Sequence, residues 1–230
     1  MTESTLDYSS AYQSLRVQLI ELLAEREPAE LEQLAPATPE WRVRDIVSHM
    51  AGVCDDVVHG NMEGAPSNEW TQAQVDKRTA WEFPRVIDDW TEHGATVESF
   101  MNDIGTVMGQ MVFDAWTHEQ DVRGALGKPG GRDGAALDIA FGWFVQANQA
   151  AVVPEQPGTL VLVTEVGETR IGPHAEATTT IRTSRYEFLR SVSGRRSLRQ
   201  VRLLDADGVP PHEVLFNSDI FRPADTDIVE

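Results

Sequence analysis

Apolar side chains recur every three or four residues along most of the first 150 positions. That spacing restricts the segment to helices that each bury one face. Between Tyr8 and Arg26 the recurring residues are Tyr12, Leu15, Leu19, Ile20, Leu22 and Leu23. Between Val43 and His59 they are Val43, Ile46, Val47, Met50, Val53, Cys54 and Val57. Further helices are expected over 71–80, 83–104, 106–126 and 134–150. The stretches "EPAELEQLAPATPE", "GNMEGAPSNEW" and "LGKPGG" separate them, and Gly127 suits a left-handed cap with Pro129 just beyond.

The pattern changes at "PEQPG", which begins at Pro154 and reads as a turn or linker. "TLVLVTEVGETRIG" reads as two strands around a Val-Gly-Glu turn, and "ATTTIRTS" is β-rich through its threonines and Ile181. "RYEFLRSVSG" returns to helix between Ser184 as N-cap and Gly194 as stop, and "LRQVRLL" reads as a further strand. The expectation is an α+β chain of two domains, a helical bundle over 1–153 and a small α+β domain over 154–230.

A chain of 230 residues buries enough surface to fold without a disulfide or metal staple, so a metal site here would serve chemistry. Asp and Glu number 37 against 19 Lys and Arg, and the net charge of -18 repels nucleic acid and anionic lipid. The one basic stretch is "SGRRSLRQVR". No apolar run approaches the roughly 20 residues that span a bilayer. The start, "MTESTLDYSS", lacks the basic and apolar regions of a secretory signal, and the single Cys54 builds no internal disulfide framework. These features lead us to expect a cytoplasmic protein without nucleic-acid or membrane partners, and they leave the oligomeric state open.

On the helix expected over 106–126, Val107, Met111, Asp114, His118, Val122 and Ala125 fall along one side. Two ionisable groups therefore sit within a stripe of core character. Residues four apart on a helix have Cβ atoms about 5–6 Å apart, so both side chains can reach one ion. His49, in "VRDIVSHMAG", flanks the apolar face of another helix and is the candidate third ligand. Two histidines and one carboxylate suit catalytic zinc and other divalent transition metals. Spacing alone equally allows Asp114 and His118 to be a hydrogen-bonded pair on a wet face, with His49 a structural histidine.

Other polar residues invite simpler readings. Glu119 points about a quarter-turn from His118, Asp121 can cap the polar side of the helix, and Arg123 answers the helix dipole. His59 lies at a helix end, His93 on a polar face, and His174 and His212 beside prolines in turns. Cys54 occupies a core position and reads as structural. Trp41, Trp81, Trp90 and Trp116 read as core or helix-end residues, and Trp70 closes the loop before its helix.

The segment "EWRVRDIVSHMAG" resembles the "W-x-V-R-D-L-V-x-H-L-x-G" stretch of the mycothiol-dependent maleylpyruvate isomerase family, within the wider DinB-like bundles. "FDAWTHEQDVRGALGKPG" resembles that family's second signature, "DAWTHEQDIRRALGRPG". "TIRTSRYEFLRSVSGRR" is similar, more loosely, to its sterol-carrier-like C-terminal domain. The resemblance implies a DinB-like four-helix bundle whose metal ligands are His49, Asp114 and His118. Asp114 stands where the isomerase pattern has Glu, one methylene longer. It further implies a zinc ion, mycothiol or a similar low-molecular-weight thiol as cofactor, and an electrophilic small molecule as substrate, in S-transfer or isomerisation. An arginine from the C-terminal domain would face the substrate; Arg195, Arg196 and Arg222 are present, and no motif singles one out. The other reading is a metal-bearing small-molecule binding or sensing module without turnover.

Overall fold

A computed structural model describes residues 6–150, 158–172, 176–215 and 221–230. Packing divides the chain into two units, one running to Gly131 and including Glu230, the other covering Arg132–Val229. Helices and a mixed four-stranded sheet together make an α+β chain. The boundary expected near Pro154 falls outside the described residues, as does His174. No helix among the described residues is long and apolar enough to cross a membrane.

The first unit opens with α1 (Tyr8–Ala24) and a short α2 (Pro28–Leu31). A hairpin of β1 (Leu34–Ala35) and β2 (Thr38–Arg42) follows, then α3 (Val43–His59), α4 (Asn68–Arg78), α5 (Phe83–Glu98) and α6 (Met101–Ile104). A 3₁₀ turn at Thr106–Met108 leads into α7 (Gly109–Leu126). The four long helices close a ring in which α1 and α3 each pack on both α5 and α7. Their apolar stripes supply the core: Leu15, Leu19 and Leu23 from α1, Ile46, Val47 and Met50 from α3, Val86 and Trp90 from α5, and Val112, Trp116 and Val122 from α7. Gly127 (φ 60°) ends α7 in the left-handed region as expected, and Gly60 (φ 74°) ends α3 in the same way.

Polar contacts fix the register of this bundle. Trp90 Nε1 donates to Tyr12 Oη at 3.2 Å, and Tyr12 Oη lies 3.0 Å from Cys54 Sγ, so α1, α3 and α5 meet in one buried contact. Burial pushes the Cys54 thiol up to about 12, which leaves it unionised and inert. Arg16 of α1 forms a bidentate pair with Glu98 of α5 at 2.7 and 3.0 Å. The arginine reaches it across Gly94, where a Cβ would stand 2.7 Å from Arg16 Cδ.

Three local expectations change. The helix expected over 83–104 breaks at Ser99–Phe100, because the Glu98 carbonyl accepts from Ser9 Oγ of α1 (2.6 Å) where a continuing helix would use the Asn102 amide. Val107 leaves the apolar stripe; it lies in the 3₁₀ turn and is exposed. The segment of Pro36 and Pro39 forms the β1–β2 hairpin, whose two strands are both edges and so tolerate proline.

The second unit contains α8 (Ala135–Ala150), β3 (Thr159–Thr164), β4 (Gly167–Ile171), β5 (Ala177–Arg182), α9 (Arg185–Val192), α10 (Leu198–Arg202), β6 (Asp205–Gly208) and α11 (Pro211–Leu215). Its sheet has the order β4-β3-β5-β6, with β3 and β5 parallel and the outer pairs antiparallel. The helix α8 packs here, on α9 and β4, with Phe141 and Phe144 edge-on to Phe188. Ser184 caps α9 as expected, its Oγ accepting from the Glu187 amide at 3.1 Å. "LRQVRLL" is helix where a strand is expected. Ser197 Oγ accepts from the Gln200 amide and Gln200 Oε1 from the Ser197 amide, a capping box that outweighs the β-branched Val201.

Removing one partner of the buried Arg16–Glu98 pair strands the other charge. Glu98→Ala should therefore destabilise the protein by roughly 3–5 kcal/mol, read as a lower urea midpoint at pH 7. A change under about 1 kcal/mol would class the pair with exposed ones.

Candidate metal centre

His49 stands on the second turn of α3, facing Asp114 and His118, which are one turn apart on α7. One ligand atom from each of the three residues lies within 4.8 Å of the other two. His49 Nε2 is 3.5 Å from Asp114 Oδ2, and His118 Nε2 is 3.7 Å from Asp114 Oδ1. The imidazoles meet edge to face with centroids 4.9 Å apart. Ligands at zinc distances in a tetrahedral arrangement stand about 3.4 Å from one another. The observed spacing is thus close to what one ion between them needs.

The second nitrogen of each ring fixes which one carries the proton. His118 Nδ1 is 3.1 Å from Asp121 Oδ2, and a carboxylate only accepts, so Nδ1 is the donor. His49 Nδ1 is 2.7 Å from Gln74 Oε1. The Gln74 amide cannot be turned round, because its Nε2 donates to Asp56 Oδ2 at 2.7 Å. In its neutral form each ring therefore presents a bare Nε2 lone pair to the cluster. Two lone pairs and a carboxylate converging on one point favour a cation there. Imidazole ligands are commonly held in this way by an acceptor on the far nitrogen.

Burial holds the His118 imidazole below the ordinary value of 6.5, outweighing the opposite pull of Asp121 and Asp114. The ring thus keeps the neutral form that a ligand requires at and somewhat below that pH. His49 and His118 are nearly inaccessible, whereas 36% of the Asp114 side chain is exposed. Solvent reaches the cluster on the Asp114 side. Trp41, from β2, lies against both rings, with centroids 5.2 Å from His49 and 5.9 Å from His118.

The approach of α4 to α3 depends on a missing side chain. A Cβ on Gly52 would lie 2.4 Å from Gln74 Cβ, so glycine is what lets Gln74 come close enough to bond His49. All three expected ligands are brought together. Glu119 instead pairs with Arg123 at 2.8 Å, and burial raises its carboxyl above the ordinary range. Asp121, expected to cap a polar face, is fully buried and orients His118. Trp41, expected to serve the core, walls the cluster. Gln74 had no sequence signal, since 25 residues and a loop separate it from His49. Asp121 had one, the i,i+3 spacing from His118. In the second unit, Arg196 is bound by Glu187 at 2.7 and 2.8 Å, and Arg195 donates to the Ser193 carbonyl.

No family model and no curated protein matches the sequence. Among solved structures, the mycothiol-dependent maleylpyruvate isomerase matches with a TM-score of 0.60 at 14% identity, covering 89% of this chain and 94% of that one. A histidine-to-alanine mutant of a protein of the same description matches with a TM-score of 0.56 at 13% identity, covering 82% and 88%. The chain shares the fold of these proteins over nearly its whole length.

If Asp121 sets the His118 tautomer, Asp121→Asn should weaken zinc binding about 10–100-fold, measured by competition with a chromophoric chelator. Unchanged affinity in a folded variant would show that the carboxylate does not orient the ring.

Proposed function

We propose that this chain is a cytoplasmic metal-dependent enzyme that uses a low-molecular-weight thiol, mycothiol or a close analogue, on an electrophilic small molecule. The reaction is S-transfer or isomerisation. The observation that carries the reading is the pair of buried imidazoles whose Nδ1 protons are tied to Gln74 and Asp121 while both Nε2 atoms face Asp114. The shared fold and the two sequence signatures support it.

His49, Asp114 and His118 would hold a divalent ion, and their composition suits zinc. When bound, such an ion supplies the Lewis acidity that lets a thiol ionise at neutral pH. The protein's own contribution is positional. Gln74 and Asp121 keep both Nε2 atoms free of protons, and Gly52 keeps α4 near enough for this to hold. Trp41, lying tilted against both rings, would shield them from water on that side. Three protein ligands leave room for one from solution, and the exposed side of Asp114 is its entry. In the reaction the thiol sulfur, having given up its proton, would form a bond to an electrophilic carbon while the π bond from that carbon to its neighbour opens and the neighbour takes up a proton. In isomerisation that bond later breaks and the thiol is returned; in S-transfer it persists in the product.

Zinc-loaded protein should bind mycothiol in a calorimeter and turn over at least one electrophile from a panel that includes maleylpyruvate. His118→Ala should lower both by 100-fold or more. A zinc-loaded wild type that binds no thiol would sink the proposal. Thiol binding without turnover on any electrophile would favour the sensing module instead.

A further inference from the structure

A second group of metal-ligating side chains lies where α3 packs on α5. The spacing Asp-x-x-x-His, which supplies Asp114 and His118 on α7, recurs on both of these helices as Asp55–His59 and Asp89–His93. One ligand atom from each of Asp55, His59 and His93 lies within 4.8 Å of the other two. The two imidazoles stand edge to face with centroids 5.5 Å apart. We propose that Asp55, His59 and His93 form a second, weaker site for a divalent transition ion of the zinc, nickel and copper group.

The two oxygens of Asp55 are divided between tasks. Oδ2 accepts from Arg78 at 2.9 Å and from Lys77. Oδ1 faces the histidines, 2.9 Å from His59 Nδ1 and 3.9 Å from His93 Nε2. Asp89 repeats the division. Its Oδ2 accepts from Arg78 at 2.6 Å, and its Oδ1 lies 3.3 Å from His93 Nδ1. His93 Nδ1 also lies 3.1 Å from the Asp89 carbonyl, an acceptor only, so Nδ1 carries a proton, and in the neutral ring Nε2 is the lone pair that faces Asp55. This is the arrangement that holds His118 at the first cluster.

Charge sets the strength of the site. The fully buried Arg78 bridges Asp55 and Asp89 and neutralises one of the two carboxylates, which leaves a net negative charge beside the imidazoles. Lys77 offsets more of it, but its side chain is largely exposed and free to swing away. His59 is exposed too, so its ring can turn to meet an ion. The ion would displace the proton on His59 Nδ1, which lies 2.9 Å from the Asp55 carbonyl, and the neutral ring would then carry that proton on Nε2. These features make a site that fills after the first one. They also place it at the contact between α3, which carries His49, and α5.

The test is equilibrium dialysis of the full chain against micromolar zinc, with zinc per chain counted by atomic emission. The His59→Ala/His93→Ala double variant should carry one zinc fewer than wild type. It should also remove one zinc from a His49→Ala/His118→Ala background, so this result stands or falls separately from the first centre. His59→Ala alone, at an exposed position that cannot unfold the bundle, should weaken the second site at least tenfold. Equal zinc counts with and without His59 and His93, in either background, would overturn the proposal.

Discussion

A neutral imidazole carries one proton, and in both His49 and His118 an acceptor on the far side of the ring holds that proton away from the cluster. Everything the site can do depends on this. Were Nδ1 released, the proton could sit on Nε2 and the ring would cease to be a ligand. The two rings are secured differently. His118 is held within its own helix by Asp121, one turn on. His49 is held by another helix, through Gln74, whose own orientation is set by Asp56. The second arrangement is the more exposed to disturbance, because it depends on how closely α4 lies against α3. Gly52 sets that distance.

The bundle supplies rigidity to this arrangement. Helices position a constellation better than loops do, provided that packing locks their relative register. Here the register is set by contacts that do not touch the cluster. Arg16 and Glu98 pin α1 to α5, and Tyr12, Cys54 and Trp90 tie α1, α3 and α5 together in the core. Arg78, which joins Asp55 of α3 to Asp89 of α5, also donates to the Gln74 carbonyl at 3.2 Å. The helix that orients His49 is thereby tied to the α3–α5 contact.

Much of this was legible in the residues. Periodicity located the four long helices, and the bounds of α3 coincide with the expected Val43–His59. Asp114 and His118 were visible because helical geometry fixes the distance between residues four apart. His49 was a candidate from its place beside the apolar face of α3, and the resemblance strengthened that pairing, since periodicity says nothing about which helices face each other. What stayed hidden was tertiary. Gln74 acquires its role only when α4 folds back, and Trp41 only when an unexpected hairpin places it over the rings. The errors have local causes as well. The α10 segment has the apolar spacing of a strand, yet its capping box makes it a helix. The continuity of the helix after Phe83 was lost to a hydroxyl 89 residues away in sequence, at Ser9.

The central claim is that His49 and His118 present bare Nε2 atoms to one ion. It is tested most directly by long-range proton–nitrogen correlation spectra of histidine-labelled protein at pH 6.5, recorded without zinc and with one equivalent. The account predicts Nδ1-protonated tautomers for both residues before zinc is added. Zinc should then shift the two Nε2 resonances and leave both Nδ1 protons in place. Nε2-protonated rings in the metal-free protein, or zinc that leaves these two residues unshifted, would contradict it.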